Sequence, residues 1–463
     1  MLINRISMIE AGSIWPHLYK KFPIPRLGVV LLGTILKNHG FDVKIFVEDI
    51  SEIDWSFVES SDLVGISTIT STAPRAYALA DLIRKKGIPV IMGGIHPTFM
   101  PEEALQHADY VVRGEADLTF ISLINYLRKG SPNINDIKGI SFKDSLGKIY
   151  HNPIPDLIDN LDILPSPDFS LLKGFRSNNI YPISTSRGCP FDCKFCSVIQ
   201  MFGRRYRFRS VEKTLIDIKM AIKSSNGIIF FVDDNFSAHK GRTKDILKGM
   251  IEEKIKARWS AQVRIDVAKD EELLRLMAES GCSTLYVGFE SINPQTLKYY
   301  NKKQDLNDIV NSIKNIKSAG IHIHGMFVLG ADTDDIETIK RTADFAITNG
   351  IDTVQFMILT PLPGTPFFFE MQDSGRLIHM DWSRYDGHHV VFKPKMNIEM
   401  LQIETIQAMK KFYSWKYIIK NFVNLNFYYA LIGLYGKILI NKTLKNIGEY
   451  LESIHSLSFE KTV

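Results

Sequence analysis

Cysteine is scarce in this chain, four in 463 residues at uneven spacing. Such thiols do not make a disulfide framework, and thiols kept free belong in a reducing compartment. An excess of one charge is also missing. Lys and Arg total 56 against 51 Asp and Glu, and a formal net charge of +5 points by itself to neither nucleic acid nor an anionic membrane. No transmembrane segment is expected: the uncharged stretch 421–436 is too short to span and is interrupted by Asn424 and Asn426. Nor is a secretory leader, since Asn4 and Arg5 fall inside the apolar run 1–9. Internal repeats and low-complexity tracts are lacking too. These absences lead us to expect a cytoplasmic globular protein, and 45% apolar residues give it a large core.

What is present is concentrated in one loop. Arg187-Gly188-Cys189-Pro190-Phe191-Asp192-Cys193-Lys194-Phe195-Cys196 holds three of the four cysteines. A structural zinc site closes with four ligands, and no second Cys-x-x-Cys half or histidine pair follows. The fourth cysteine, Cys282, lies between a helix-end signal and an apolar strand, where a free cysteine is a small buried hydrophobe. Iron–sulfur clusters are normally held by four thiolates, so a three-thiolate loop leaves one iron open to a substrate or cosubstrate. With Phe195 before Cys196, the loop resembles the Cys-x3-Cys-x-aromatic-Cys loop of the radical S-adenosylmethionine (SAM) enzymes. A Cys3His zinc site and inert thiols are the competing readings.

Residues 1–145 alternate short apolar runs (3–9, 43–47, 63–66, 90–92, 110–112) with helical periodicity over 27–38, 72–86 and 115–128. The pattern predicts a Rossmann-like, doubly wound parallel sheet, which binds ligands at the carboxyl ends of its strands. Gly65-Ile66-Ser67-Thr68-Ile69-Thr70, Gly93-Gly94-Ile95-His96-Pro97-Thr98 and Arg113-Gly114-Glu115 fall there. Glycines after a strand admit a ligand to the backbone, and hydroxyls supply hydrogen bonds; plain tight turns explain the same residues. Together with Pro25-Arg26-Leu27-Gly28, these stretches resemble the cobalamin-binding domain that precedes many radical SAM enzymes. The resemblance implies cobalamin contacts at Gly28, Ser67, Thr68, Gly93, Gly94, His96 and Glu115. The Asp-x-His-x-x-Gly that supplies a cobalt ligand is missing: loop 10–26 has only His17, without an Asp two residues before it. The lower face of the corrin should therefore lack a protein histidine.

Residues 146–178 contain Pro153, Pro155, Pro165 and Pro167 and read as an extended linker on the surface, after a small hairpin at 140–143 and 148–152. Six strand–helix units follow in 179–395, with strands at 180–185, 228–232, 259–263, 284–289, 321–329 and 353–359, a partial (β/α)6 barrel. The cysteine loop follows the first of these strands, where a catalytic loop belongs. Later strand ends are polar: Asp233 and Asp234, Gln262 and Arg264, Glu290 and Ser291, and Gly330. Adjacent carboxylates accept from an amino group or cap a helix, and an arginine clamps a carboxylate. In the resembling family these positions, with Phe195, hold SAM. The basic run 203–210 is either a solvated lead into the next helix or part of site closure. In 381–390, His388 and His389 would point to opposite faces of an extended strand, one buried and one exposed. A C-terminal helical region, 396–463, is expected as helices at 398–422, 425–439 and 442–454; its aromatic stretch packs on the barrel, walls an apolar substrate, or touches a membrane surface peripherally.

The fold class expected is thus α/β: a Rossmann-like sheet of cobalamin-binding type, a partial radical SAM barrel, and C-terminal helices. The resemblance implies a [4Fe-4S] cluster, SAM and cobalamin, an electron donor such as flavodoxin or ferredoxin, and a small-molecule substrate. It implies reductive cleavage of SAM followed by methylation, or carbon–carbon bond formation, at an unactivated carbon. A methylthiotransferase would need a second cluster and three further cysteines, and only Cys282 remains. A radical SAM enzyme with a vestigial first domain and a non-enzymatic cobalamin or redox sensor are the alternatives. No residue is singled out as catalytic.

Overall fold

The computed structural model describes residues 2–15 and 23–460, without the side chains of 455–460. His17 lies outside the described residues. The chain divides into two compact units, Met1–Phe191 with Ser197–Asp233, and Asp192–Cys196 with Asp234–Val463.

The first unit holds a seven-stranded sheet: β1 (Arg5–Glu10), β2 (Asp42–Val47), β3 (Leu63–Ser67), β4 (Val90–Gly93), β5 (Tyr110–Val112), β6 (Ile140–Lys143) and β7 (Ile149–His151), in the order β2-β1-β3-β4-β5-β6-β7. Pairing is parallel up to β5, and β6 and β7 extend the sheet antiparallel as the expected hairpin. Central strands of a parallel sheet are covered on both faces, and Ile6, Ile9, Val64, Ile66, Val90 and Met92 are accordingly buried. Edge strand β2 instead begins with exposed Asp42 and Lys44 alternating with buried Val43 and Ile45. The helix expected at 115–128 begins only at Thr119. The chain first turns through Gly114 at φ +75°, and the side chains of Glu115 and Asp117 go to arginines instead of a helix face.

The proline-rich segment is not a surface linker. Ile158, Leu161 and Leu164 are buried in one cluster with Leu31 and Ile35 of the helix Leu27–Asn38. Proline fixes these residues extended, and alternate side chains of an extended chain reach the core; each buried Leu or Ile contributes about 1.5–3 kcal/mol. The first unit also contains β8 (Tyr181–Ile183) paired parallel with β11 (Ile228–Phe231), and the short antiparallel pair of β9 (Ser186–Arg187) and β10 (Arg207–Phe208).

In the second unit β12 (Arg258–Val263), β13 (Cys282–Glu290), β14 (His322–Leu329) and β15 (Thr353–Ile358) are parallel and adjacent in that order. The helices Glu271–Glu279, Leu306–Ser318 and Ile336–Thr348 each start on an aspartate, Asp270, Asp305 and Asp335, whose side chain accepts from a backbone N–H of the first turn. β8, β11 and β12–β15 fall at the six sequence positions expected for the barrel strands.

The C-terminal region is helical, with different breaks from those expected. One helix ends at Phe412 and the next is Trp415–Val423. Between them Tyr413 is buried, its hydroxyl hydrogen-bonded to the backbone of Val354. The last two expected helices are one, Phe427–Glu460, because nothing between 439 and 442 carries a breaking residue.

Candidate functional site

The second half of the cysteine loop is pinned within the second unit by a segment the sequence did not mark, Tyr299–Lys302. The Tyr300 carbonyl accepts from Lys194 N at 3.4 Å, Asn301 Nδ2 donates to the Asp192 carbonyl at 2.9 Å, and the Phe195 ring meets Tyr300 edge-on at 5.0 Å. Lys194 is ion-paired with Glu370 and lies 4.1 Å from the Tyr299 ring centre. Cys189, Cys193 and Cys196 form no disulfide and are half-buried, whereas Cys282 is buried at the start of β13.

Around Cys193 the second unit gathers charge. Glu290 closes β13 where the register with β14 shifts, and its backbone is left-handed at φ +63°, a conformation a carboxylate residue adopts at a cost of about 1–3 kcal/mol. That turn folds the carboxylate back onto Lys302, with Nζ 2.7 Å from Oε1 and both side chains buried. Gly288 makes room: a Cβ there would sit 2.6 Å from Glu290 Oε1. Burial raises the Cys193 thiol pKa; Lys302 and Arg264 pull it back, while Glu290 and Asp192 add to the rise. Arg264 is itself buried, with Nε 3.4 Å from Asp266. Lys302 escaped the sequence reading because it follows a helix instead of a strand, and its only signal is the basic pair Lys302-Lys303 after Tyr300.

The remaining predicted positions of this unit divide by what already holds them. Asp234 is exposed and Gln262 half-buried on β12. Ser291 is buried, and its hydroxyl accepts from Asn293 N at 3.0 Å. Gly330 has φ +100° and a Cβ there would meet Leu401 at 2.7 Å, so packing within the fold requires this glycine. His388 and His389 are not split between faces. They lie in a turn after Trp382–Arg384, both half-buried, with His389 Nδ1 3.0 Å from Asp386 and Nε2 2.9 Å from Arg384.

In the first unit the loop's leading arginine is clamped. Arg187 lies 2.7 Å from Asp117 and 3.3 Å from Glu115; burial would lower its pKa, and the two carboxylates outweigh that and raise it. Glu115 also holds Arg207 at 2.7 Å and accepts from Ile158 N at 2.9 Å, so this carboxylate is fully engaged by the protein. The basic run is therefore a solvated lead only at Arg204 and Arg205, which are exposed. Arg207 and Arg209 are buried, and Arg209 pairs with Asp217 at 3.0 Å. Asp233 is likewise committed, accepting from Thr185 N at 3.0 Å, Thr185 Oγ1 at 3.1 Å and Ser186 Oγ.

At the ends of β3 and β4 the backbones touch. Thr68 N donates to the Gly93 carbonyl at 3.1 Å, and a Cβ on Gly94, at φ +103°, would lie 2.4 Å from Thr68 O. His96 is buried in the short helix Ile95–Phe99, its Nδ1 3.4 Å from Thr70 Oγ1. Gly28 differs: a Cβ there would meet nothing within 4 Å, so no neighbouring atom of the protein asks for glycine.

The donor set fits an iron–sulfur cluster. Three thiols that form no disulfide stand in one loop, and a cubane takes one thiolate per iron. No group of three or more His, Cys, Asp or Glu close enough to hold a single metal ion occurs among the described residues.

Residues 183–367 match the radical SAM superfamily and residues 20–124 the B12 binding domain. An uncharacterized methyltransferase of Pyrococcus horikoshii is 34% identical over 388 residues, covering 80% of this chain and 83% of that one. Bacteriochlorophyllide d C-12(1)-methyltransferase of Chlorobaculum tepidum is 29% identical over 403 residues, 85% of this chain and 84% of the other. Among solved structures, the radical SAM methyltransferase TsrM of Kitasatospora setae, with cobalamin and a [4Fe-4S] cluster bound, overlays with a TM-score of 0.67 at 18% identity, covering 81% of this chain and 75% of that one. The chain belongs to the radical SAM superfamily, in the branch that carries a B12-binding domain. It is an enzyme, and membership brings the three cofactors expected from the cysteine loop and the first sheet: a [4Fe-4S] cluster, SAM and cobalamin. No helix among the described residues is long and apolar enough to cross a membrane.

Proposed function

We propose that this enzyme methylates an unactivated carbon of a small, largely apolar substrate, drawing electrons from a flavodoxin- or ferredoxin-like donor. The observation that carries the reading is the built surround of the cysteine loop: buried Lys302 paired with Glu290 at 2.7 Å, buried Arg264, and three thiols that form no disulfide. Cys189, Cys193 and Cys196 would hold the cluster. The SAM contacts we propose are Asp234, Gln262, Arg264, Glu290 and Phe195; of the adjacent aspartates Asp234 is preferred, because Asp233 already ties the end of β11 to Thr185 and Ser186. Arg264 suits the carboxylate of the amino-acid moiety, and a carboxylate at Glu290 suits ribose hydroxyls. Ser291 and Gly330 act by shaping these strand ends.

For cobalamin we propose Gly28, Ser67, Thr68 and Gly93, with Gly94, His96 and Glu115 holding the loops behind them. Open space over Gly28 supports this. The domains follow as 1–145 for cobalamin, 146–178 as a connecting segment, 179–395 for the radical SAM barrel and 396–463 as helices. When bound, the cluster and SAM supply a radical that abstracts hydrogen, and cobalamin supplies the methyl group. The chain's part is to orient SAM between Arg264 and Glu290 and to exclude water with the aromatic pair Phe195 and Tyr300. An apolar substrate is supported by the bacteriochlorophyllide named for a relative and by the aromatic C-terminal helices.

Anaerobically reconstituted protein should form 5′-deoxyadenosine and S-adenosylhomocysteine from SAM with a strong reductant, and take up hydroxocobalamin with a corrin absorption spectrum. SAM cleavage without any corrin uptake would leave a radical enzyme but refute the methyltransferase.

A further inference from the structure

Folding leaves large apolar side chains in solvent on the C-terminal helices of the second unit. Trp415, Ile419, Phe422 and Val423, 57–70% exposed, recur at i, i+4, i+7 and i+8 and form one stripe. The opposite face is the packed one: the Tyr417 hydroxyl donates to the Asp352 carbonyl at 2.6 Å, and Tyr417 and Ile418 close over Gly433. On the next helix Phe427, Leu431, Leu434 and Ile438 repeat the pattern, all exposed. The stripes join, since Phe422 and Phe427 meet edge-to-face at 5.4 Å and Lys437 lies 5.3 Å from the Trp415 ring centre. Leu425, at the tip of the connecting turn, is 73% exposed with φ +59°.

The charge along this stretch of the chain has one sign, although Lys411 pairs with Asp344 of another helix. Between Glu404 and Glu449 there are seven lysines and no carboxylate, more positive charge than the +5 of the whole chain. Lys416 and Lys420 flank the first stripe, exposed. Contiguous exposed apolar surface of this kind marks an interaction site.

We propose that the helices Trp415–Val423 and Phe427–Glu460 lie in the plane of an anionic lipid bilayer. The apolar stripes seat among acyl chains, and the lysines extend to phosphate head groups. No described helix is fit to span, so the contact is one-sided. A second copy of the chain is a poor occupant, because a twofold contact would set the two lysine sets against each other. The proposal does not depend on the methyltransferase reading, and its test uses neither SAM nor cobalamin.

Full-length protein should float with vesicles of phosphatidylcholine and phosphatidylglycerol in equal parts. Partitioning should fall about tenfold or more with pure phosphatidylcholine or high salt. Ile419→Ser with Leu431→Ser should weaken it by about tenfold or more while the melting curve is unchanged, since both side chains are exposed. Lys416→Gln with Lys420→Gln should reduce binding to anionic vesicles only. The proposal is overturned if the folded protein does not float with anionic vesicles, or if neither pair of substitutions changes flotation. It is equally overturned if the apolar face proves covered by a dimer that Ile419→Ser with Leu431→Ser dissociates, or by an acidic protein partner that blocks flotation.

Discussion

Thr68 and Glu290 both stand where a parallel strand meets its loop, and they are held in opposite ways. Thr68 is neutral, its hydroxyl 2.8 Å from Thr72 Oγ1 and its backbone fitted against Gly93 and Gly94. Glu290 is charged, strained at φ +63°, and kept in place by one buried lysine. The first unit thus presents shape and hydroxyls where we place the corrin, a large ligand. The second invests in buried charge where we place a cationic cosubstrate and a cluster. A buried ion pair is a weak source of stability but costly to break from one side, so the two regions should respond very differently to substitution.

The largest effect should come from Lys302→Met. It leaves Glu290 buried without its cation and should cost about 3–5 kcal/mol in denaturant unfolding. Lys302→Met combined with Glu290→Gln should recover much of that loss. If the single variant is as stable as the parent, the pair is not the anchor we describe. A smaller effect belongs to His324 on β14, whose Nδ1 lies 2.8 Å from Thr353 Oγ1. Burial lowers its pKa to about 4, with Gln355 opposing. The unfolded imidazole titrates near 6.5, so between those values the unfolded chain binds the extra proton. The stabilising contribution is complete above that range and is lost as pH falls through it, about 2 kcal/mol between pH 7 and pH 5. Unfolding midpoints of the parent and of His324→Gln at the two pH values measure this, and the variant should lose less. Least affected should be the end of β3 in the first unit: Thr68→Val removes one hydroxyl pair and should cost only about 1 kcal/mol. A loss as large as that of Lys302→Met would erase the contrast.

Much of this was legible beforehand. Alternation and periodicity placed the strands, because a central parallel strand must be apolar on both faces and an amphipathic helix must repeat at 3.6 residues. The cysteine loop was legible because three thiols at that spacing have few other uses. Side-chain pairing across long sequence separations was not. Nothing local says that Glu115 turns to Arg207, that Asp233 is consumed by Thr185 and Ser186, or that Lys302 comes back onto Glu290. The prolines of the connecting segment signalled extended chain correctly but said nothing of Ile158, Leu161 and Leu164 turning inward. Net charge averages over the chain, and +5 overall conceals seven lysines without a carboxylate between Glu404 and Glu449.

Iron content compared across single cysteine variants tests the central claim most directly. Cys189→Ala, Cys193→Ala and Cys196→Ala, each reconstituted anaerobically, should lose the cluster's visible absorption and all SAM cleavage, while Cys282→Ala retains the iron of the parent. Full iron and SAM cleavage in Cys193→Ala, or their loss in Cys282→Ala, would contradict a cluster held by this loop.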